Sequence, residues 1–397
     1  MNRSLLAGPG RIDRYAGQGF NEHVTLENWQ DAPFSRWGFS HVSELITTAP
    51  IHRAGAGEPP VRFPESTAGE LDRCSDVDDF LRATHTDAFV VLHRGALVYE
   101  RYFGTFGPQD RHILMSVSKS ICALTVGVLA GRGLIDPRES VSHYVPLLKD
   151  SAYGDASVQQ VLDMTAAVRY SEDYVDPASE VQQQDRVAGW RPRLEADPAD
   201  TYEFLMLLRR AGEHGRSFQY CSAGTDVLAW IVENVTGARY ADVVSRELWS
   251  RLGCGADALV TTDSGGFAFA NGGIACTARD LARIGQLMLD DGEAGGKRVV
   301  PSAWIGDTMR GGDPLVARGS AYQKIHPNGS YRNQWWVPGD ARGTVYAAGI
   351  HGQFVWVDPP TQTVIAKFSS CPDPVSLASS RAHTEGFRRV VDLLESA

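Results

Sequence analysis

Ser116 and Lys119 stand three residues apart at the head of an apolar stretch, the spacing that brings two side chains onto one helical face. A serine hydroxyl beside a lysine amine becomes a nucleophile when the amine is neutral and can take its proton. The residues that follow, SICALTVGVLAGRGL, are apolar or small almost throughout, so they predict a buried helix that stops at Gly131 and Gly133. An amine held there loses the hydration of its charged form, which pulls its pKa toward neutrality and makes it a base. The start of the same helix presents free N–H groups and a positive dipole end to a developing oxyanion. Nucleophile, base and one oxyanion donor then come from a single turn, which is the equipment of acyl transfer to serine. Ser118 and Ser120 are rival hydroxyls, but only Ser116 has the three-residue relation to Lys119. The S-x-x-K pattern alone is short enough to recur by chance. Its weight here comes from the apolar setting and from the rarity of lysine, found otherwise only at Lys149, Lys297, Lys324 and Lys367.

These residues need a scaffold to position them. Residues 1–86 are rich in Gly, Pro and polar side chains (GPGRIDRYAGQGF, RAGAGEPPVRFPE) and read as a wrapping segment that contributes to an α/β part. DAFVVLHRGALVYERYF (87–103) predicts a hairpin around a short Arg-Gly break. Residues 136–276 are mostly helix and loop, with apolar spacing near 3.6 and glycines near the helix ends, which predicts a helical sub-domain. TARDLARIGQLMLDDG opens with a threonine cap, and PSAWIGDTM begins a helix at a proline. Strands return in NQWWV, GIHGQFVWVD and TVIAKFSSC, the last two joined by a PPTQ turn, and ASSRAHTEGFRRVVDLLES closes the chain as a helix. Residues 87–135 and 277–397 thus form one sheet domain, and the fold class is α+β: an antiparallel sheet flanked by helices, with an all-helical sub-domain.

Bulk properties exclude other classes. The formal charge of −10 and the lack of any Lys/Arg run interleaved with aromatics speak against a nucleic-acid partner. No apolar stretch has the length of a signal or a membrane span, so a cytoplasmic protein without a membrane partner is expected. The six cysteines are scattered with no C-x-x-C, and H-E-x-x-H is absent, so neither a metal nor a cofactor is implied. The lack of a G-x-S-x-G elbow disfavours an α/β-hydrolase.

SVSK, GLIDPRESVSHYVP, VLDMTAAV and GGIACTARDLARIG together resemble segments of the penicillin-recognising serine hydrolases, the group of class C β-lactamases, DD-peptidases and related esterases, over residues 87–371. The resemblance implies a β-lactamase/DD-peptidase-like fold with Ser116 as the acylated nucleophile and Lys119 as its base. The group's Tyr-x-Asn element would fall at Tyr220-Cys221-Ser222, the tyrosine kept and the amide replaced by a hydroxyl. Its Lys-Thr-Gly or His-x-Gly element would fall within GIHGQ (349–353), where the lysine is absent. Tyr220 would relay a proton to the leaving group, the backbone N–H of Ile350 on an edge strand would be the second oxyanion donor, and His351 would shape the site. Read alone, Tyr220 would be a satisfied buried tyrosine.

Further segments, SEDYVDPASEVQQQDRVAGWRPR, ADTYEFL, FQYCSAGTDVLAWIVE, QWW and the N-terminal LENWQDAPFSRWGFSHVSEL, are similar to the 6-aminohexanoate-dimer (nylon-oligomer) hydrolases. That resemblance implies hydrolysis of linear aminohexanoate amides. Tyr174 would bond the scissile amide nitrogen or its neighbour, Asp185 would face the substrate's distal ammonium, Asn271 would line the same cleft, and Trp190 would belong to a mobile loop closing over the chain. By residue type alone, Asp185 reads as a solvated loop charge and Trp190 as a packing residue. Short-chain esters are the alternative substrate for the same Ser116, Lys119 and Tyr220. A β-lactam or peptidoglycan substrate fits less well, because GIHGQ has no counterpart to the lysine that binds the antibiotic carboxylate in many relatives. A homodimer is implied by the resemblance alone.

Overall fold

Ala88 to Leu92 is apolar at every position, not at alternate ones, which demands cover on both faces of the strand. The computed structural model, which describes residues 24–396 except 56–58, 67–70, 72 and 73, shows that cover. The part of the N-terminal segment before residue 24 lies outside the described residues. In chain order the strands are β1 (Thr48–Ile51), β2 (Thr86–His93), β3 (Ala96–Tyr102), β4 (His112–Ile113), β5 (Ala258–Thr261), β6 (Ile274–Cys276), β7 (Glu293–Ala294), β8 (Lys297–Arg298), β9 (Ser330–Arg332), β10 (Trp335–Val337), β11 (Val345–Gly349), β12 (Gln353–Asp358) and β13 (Thr363–Ser369). One sheet runs β3-β2-β13-β12-β11-β10-β9, antiparallel at every pairing. The hairpins expected around Arg94-Gly95 and around PPTQ are β2–β3 and β12–β13.

The helices that matter for the site are α1 (Ser75–Ala83), α2 (Val117–Gly131), α3 (Glu180–Val187), α4 (Ala223–Thr236), α5 (Tyr240–Glu247), α6 (Ala278–Leu289) and α7 (Leu377–Glu395). On one face of the sheet, Phe89, Val91 and Ile365 pack with Val77 and Leu81 of α1 and with Phe387 and Val390 of α7. On the other, Ala88, Val90, Val355 and Val364 join Ile284 and Leu287 of α6 in the main core. Gly285 lets α6 come this near, since a Cβ there would lie 2.4 Å from Val364 Cγ1. Thr277 caps α6 by accepting the Asp280 N–H, as its sequence predicts. Helix α2 is buried from Val117 to Leu129 and packs against α4 and α5. Each buried Ile, Leu or Val of α2 contributes roughly 1.5–3 kcal/mol, which offsets the cost of keeping Lys119 in the same helix. Among the described residues no helix is long and apolar enough to cross a membrane.

A second sheet, ordered β1-β5-β6-β4, fixes the two ends between which Lys119 sits. β4 runs into the turn that carries Ser116, and β6 begins three residues after Asn271. The pairing of Ile113 with Ala275 therefore sets the distance between those two turns. β5 and β6 fall inside the stretch read from sequence as mainly helical. Strands of three and four residues, almost wholly buried, show no alternation that separates them from loop.

Candidate active site

Ser116 occupies the cap position of α2, and Met115 before it is left-handed, with φ 49°. That backbone conformation is costly for a residue with a Cβ. Here it turns the chain out of β4 so that Ser116 faces a cavity while Met115 and Val117 are buried. Lys119 Nζ lies 2.8 Å from Ser116 Oγ and 2.8 Å from the Asn271 carbonyl oxygen. Lys119 is 1% exposed. Burial lowers its pKa from 10.5 to about 8, against the opposing pull of Glu172, then Asp226. A neutral amine in this place gives one N–H to Asn271 and keeps its lone pair for the Ser116 proton. The rival hydroxyls are committed elsewhere: Ser118 Oγ accepts the Ile274 N–H at 3.1 Å, and Ser120 Oγ donates to Gln334 O at 2.7 Å.

Tyr220 stands just ahead of α4 and lines the same cavity as Ser116. Its ring is stacked on Trp336 at 5.5 Å and lies 5.2 Å from Lys119 Nζ. Burial, and after it the Glu172 carboxylate, pushes the Tyr220 phenol well above its usual range, so it stays protonated and can hand a proton on.

Across the cavity from Ser116, β11 is not the edge strand expected from sequence. It pairs with β12 along its length and with β10 at Tyr346, and Ile350 follows it in a short turn, Ile350–Gly352. The close approach requires glycine at 349, because a Cβ there would lie 2.6 Å from Leu114 O and 3.0 Å from Ser116 N. Among the described residues no acceptor takes the Ser116 N–H. Ser116 and Ile350 both line the cavity. His351 is left-handed, with φ 63°, and buried, its Nδ1 2.7 Å from Cys371 O. Burial lowers its pKa to about 4, which leaves it a neutral part of the turn.

The cavity has a volume of about 680 Å³. Its walls include Phe218, Tyr322, Trp336, Phe354 and Leu377, with Glu172 and Tyr174 facing it as well. Tyr174 donates its O–H to Glu172 Oε2 at 2.8 Å, and Glu172 Oε1 accepts the Ser222 N–H at 2.6 Å. Sequence reasoning did not single out Glu172, because an acid in the polar run SEDY looks solvated. It also passed over Asp226, fully buried in α4. Asp226 accepts from Asn271 N at 3.1 Å, Asn271 Nδ2 at 2.8 Å and, from α3, Gln184 Nε2 at 2.6 Å, and burial raises its pKa to about 7. It thereby holds the carbonyl that holds Lys119. A carboxylate leading into the apolar run VLAWIV is the same kind of signal as Lys119 in its own helix.

Asp185, Trp190 and Asn271 are buried and are not among the residues that line the cavity. Asp185 is 3.4 Å from Arg191 Nε, and burial raises its pKa to about 6. Trp190 packs between Trp29 and Phe269 and donates its indole N–H to Thr261 Oγ1 at 2.9 Å.

A serine–lysine couple with an adjacent tyrosine, at the start of a buried helix beside an antiparallel sheet, defines a serine hydrolase of the β-lactamase and penicillin-binding protein fold. The Beta-lactamase family model matches residues 76–386, and the chain belongs to that family. Within it, the chain is 51% identical over 364 residues, 91% of either chain, to the 6-aminohexanoate-dimer hydrolase of Paenarthrobacter ureafaciens. The solved structure of a proposed 6-aminohexanoate-dimer hydrolase from Bacillus anthracis matches with a TM-score of 0.86 at 30% identity, covering 94% of this chain and 97% of that one. EstCE1, a hydrolase with promiscuous acyltransferase activity, shares the fold at a TM-score of 0.64 and 15% identity, over 81% of this chain and 98% of its own.

Proposed function

We propose that this chain hydrolyses the amide bond of linear 6-aminohexanoate oligomers through an acyl-enzyme on Ser116. The observation that carries the reading is the 2.8 Å contact of Lys119 Nζ with Ser116 Oγ, opening on the cavity, in a chain 51% identical to a 6-aminohexanoate-dimer hydrolase. Neutral Lys119 takes the Ser116 proton as Oγ attacks the carbonyl carbon, and the oxyanion rests between the N–H groups of Ser116 and Ile350. Tyr220 passes its phenol proton to the leaving nitrogen and takes one back from the Lys119 ammonium, so the amine departs with Lys119 neutral again and free to act as base when water attacks the remaining ester. The methylene chain lies along the apolar walls. Asp185 is buried and 3.4 Å from Arg191, so a distal ammonium reaches it only by displacing that guanidinium, while Asn271 holds Lys119, and Trp190 and His351 hold Thr261 and Cys371.

The apolar walls around Phe218, Trp336 and Phe354 favour a second reading, a carboxylesterase on short acyl esters with the same Ser116, Lys119 and Tyr220. The two are separated by incubating purified protein with the linear dimer and, apart, with p-nitrophenyl butyrate, each beside Ser116→Ala, and analysing products by mass spectrometry. Release of 6-aminohexanoate by the wild type alone supports the amidohydrolase. Cleavage of the ester alone makes the protein an esterase.

A further inference from the structure

A buried carboxyl group that meets only donors is an anion, because a protonated one would need an acceptor for its own O–H. Asp226, fully buried in α4, is met by three donors: the Asn271 N–H at 3.1 Å, Asn271 Nδ2 at 2.8 Å and Gln184 Nε2 at 2.6 Å. All three are neutral. A charge taken out of water is costly without a counter-charge, and Lys119 is a cation that favours the Asp226 anion. Asn271 stands between the two, its N–H and side chain committed to Asp226 and its carbonyl oxygen accepting from Lys119 Nζ at 2.8 Å. Two hydrogen bonds to one carboxylate fix Asn271, and the direction of its carbonyl is fixed with it. Lys119 needs both groups most at one moment. When Ser116 Oγ attacks and the amine holds the serine proton, an ammonium appears inside an apolar helix, and an interaction that strengthens only then raises the rate.

We propose that Asp226 is a positioning residue for Lys119: it aims the Asn271 carbonyl at Nζ, and its negative charge stabilises the ammonium that Lys119 becomes when Ser116 is acylated. The proposal rests on the Ser116 acyl-enzyme reading above, with Lys119 as the base. The Asn271 N–H and carbonyl belong to different peptide units, so no proton passes along this path and the coupling is electrostatic and geometric. Glu172, more strongly than Asp226, and after them Cys221 and Asp185, also favour the ammonium, and the Tyr220 ring lies 5.2 Å from Nζ. Cys122 of α2, Tyr153 and Tyr240 of α5 act on Asp226 in turn, and burial keeps all three protonated near neutral pH.

Asp226→Asn tests it by keeping the size and removing the charge. The new oxygen can take the Asn271 N–H, while the Asn271 and Gln184 amides turn their oxygens to the new NH2 group. The readout is kcat/KM for p-nitrophenyl butyrate from about pH 5 to about pH 10, whose acid limb follows Lys119 losing its proton in the free enzyme. A carboxylate favours the ammonium, so its loss lets Lys119 release the proton at lower pH. The limb should move down by about one pH unit and the plateau fall about 10-fold, because the amine is then a weaker base. A purely structural role would lower the plateau and leave the limb in place, so an unmoved limb, or one moved upward, overturns the proposal. If Asp226→Asn does not fold, Gln184→Met decides. It takes one donor from the carboxylate at similar volume, so Asp226 keeps a proton to higher pH and the limb should again move down, by about half as much; an unmoved limb overturns the proposal here too. Wild type with no limb near pH 8 would remove Lys119 as the base and overturn the reading above together with this proposal, whereas a wild-type limb that the variants leave in place overturns only the role of Asp226.

Discussion

Replacing Lys119 with methionine separates what the buried amine does for catalysis from what it costs the fold. Methionine keeps an unbranched apolar stem and loses the charge. Burial lowers the Lys119 pKa from 10.5 to about 8, so the folded protein binds this proton less tightly than the unfolded chain. Between the two values the unfolded state holds the extra proton, and stability rises with pH across that window. The protonated amine costs the folded state about 3 kcal/mol at pH 7 and under about 1 kcal/mol at pH 10. Losing the hydrogen bond to Asn271 O costs the variant about 1 kcal/mol at either pH, so it drops out when the two are compared. Lys119→Met should therefore gain about 2–3 kcal/mol on wild type in going from pH 10 to pH 7, measured by urea unfolding at each, while ester turnover falls about a thousandfold. A stability difference that stays constant between the two pH values would refute the reasoning, because the amine would then be an ordinary lysine with no reason to be neutral beside Ser116.

Three other substitutions probe the rest of the site. Gly349→Ala places a Cβ 2.6 Å from Leu114 O, so it should push β11 away from Ser116 and lower kcat about 100-fold with little change in KM, read by steady-state kinetics on the ester. Tyr220→Phe should cost amide turnover about 100-fold and ester turnover less than about tenfold, since only the amine must be protonated to leave; equal losses would give Tyr220 a packing role. Ser118→Ala strands the Ile274 N–H and should destabilise by about 1–3 kcal/mol in urea with kcat/KM unchanged, whereas lost turnover at normal stability would mean the wrong serine has been chosen.

What was legible in the sequence was local or anomalous. The strands of the two hairpins follow from short β-rich runs joined by turn residues, and Lys119 stood out because a charge in an apolar helix has to be explained. Asp226, at the head of the apolar run VLAWIV, is an anomaly of the same kind. Glu172 is different: its neighbours in sequence are polar, and its role comes from Ser222, fifty residues away. The sheet of β1, β5, β6 and β4 was hidden for a related reason, since its strands are two to four residues long and pair across the chain, Thr48 with Thr261. The placing of Ile350 on an edge strand failed because β10 reaches β11 only at Tyr346, a non-local pairing that no local pattern announces. Trp190, read both as a loop residue and as a packing residue, is packed between Trp29 and Phe269 in this structure.

The proposed chemistry passes through a covalent intermediate on Ser116. The direct test is to mix the protein with p-nitrophenyl butyrate, quench during the first turnover and map the butyryl group by peptide mass spectrometry. Butyryl is expected on the peptide that carries Ser116, appearing with a burst of nitrophenol, and none in Ser116→Ala. Butyryl on another residue, or a Ser116→Ala protein that turns over at the wild-type rate, would contradict it.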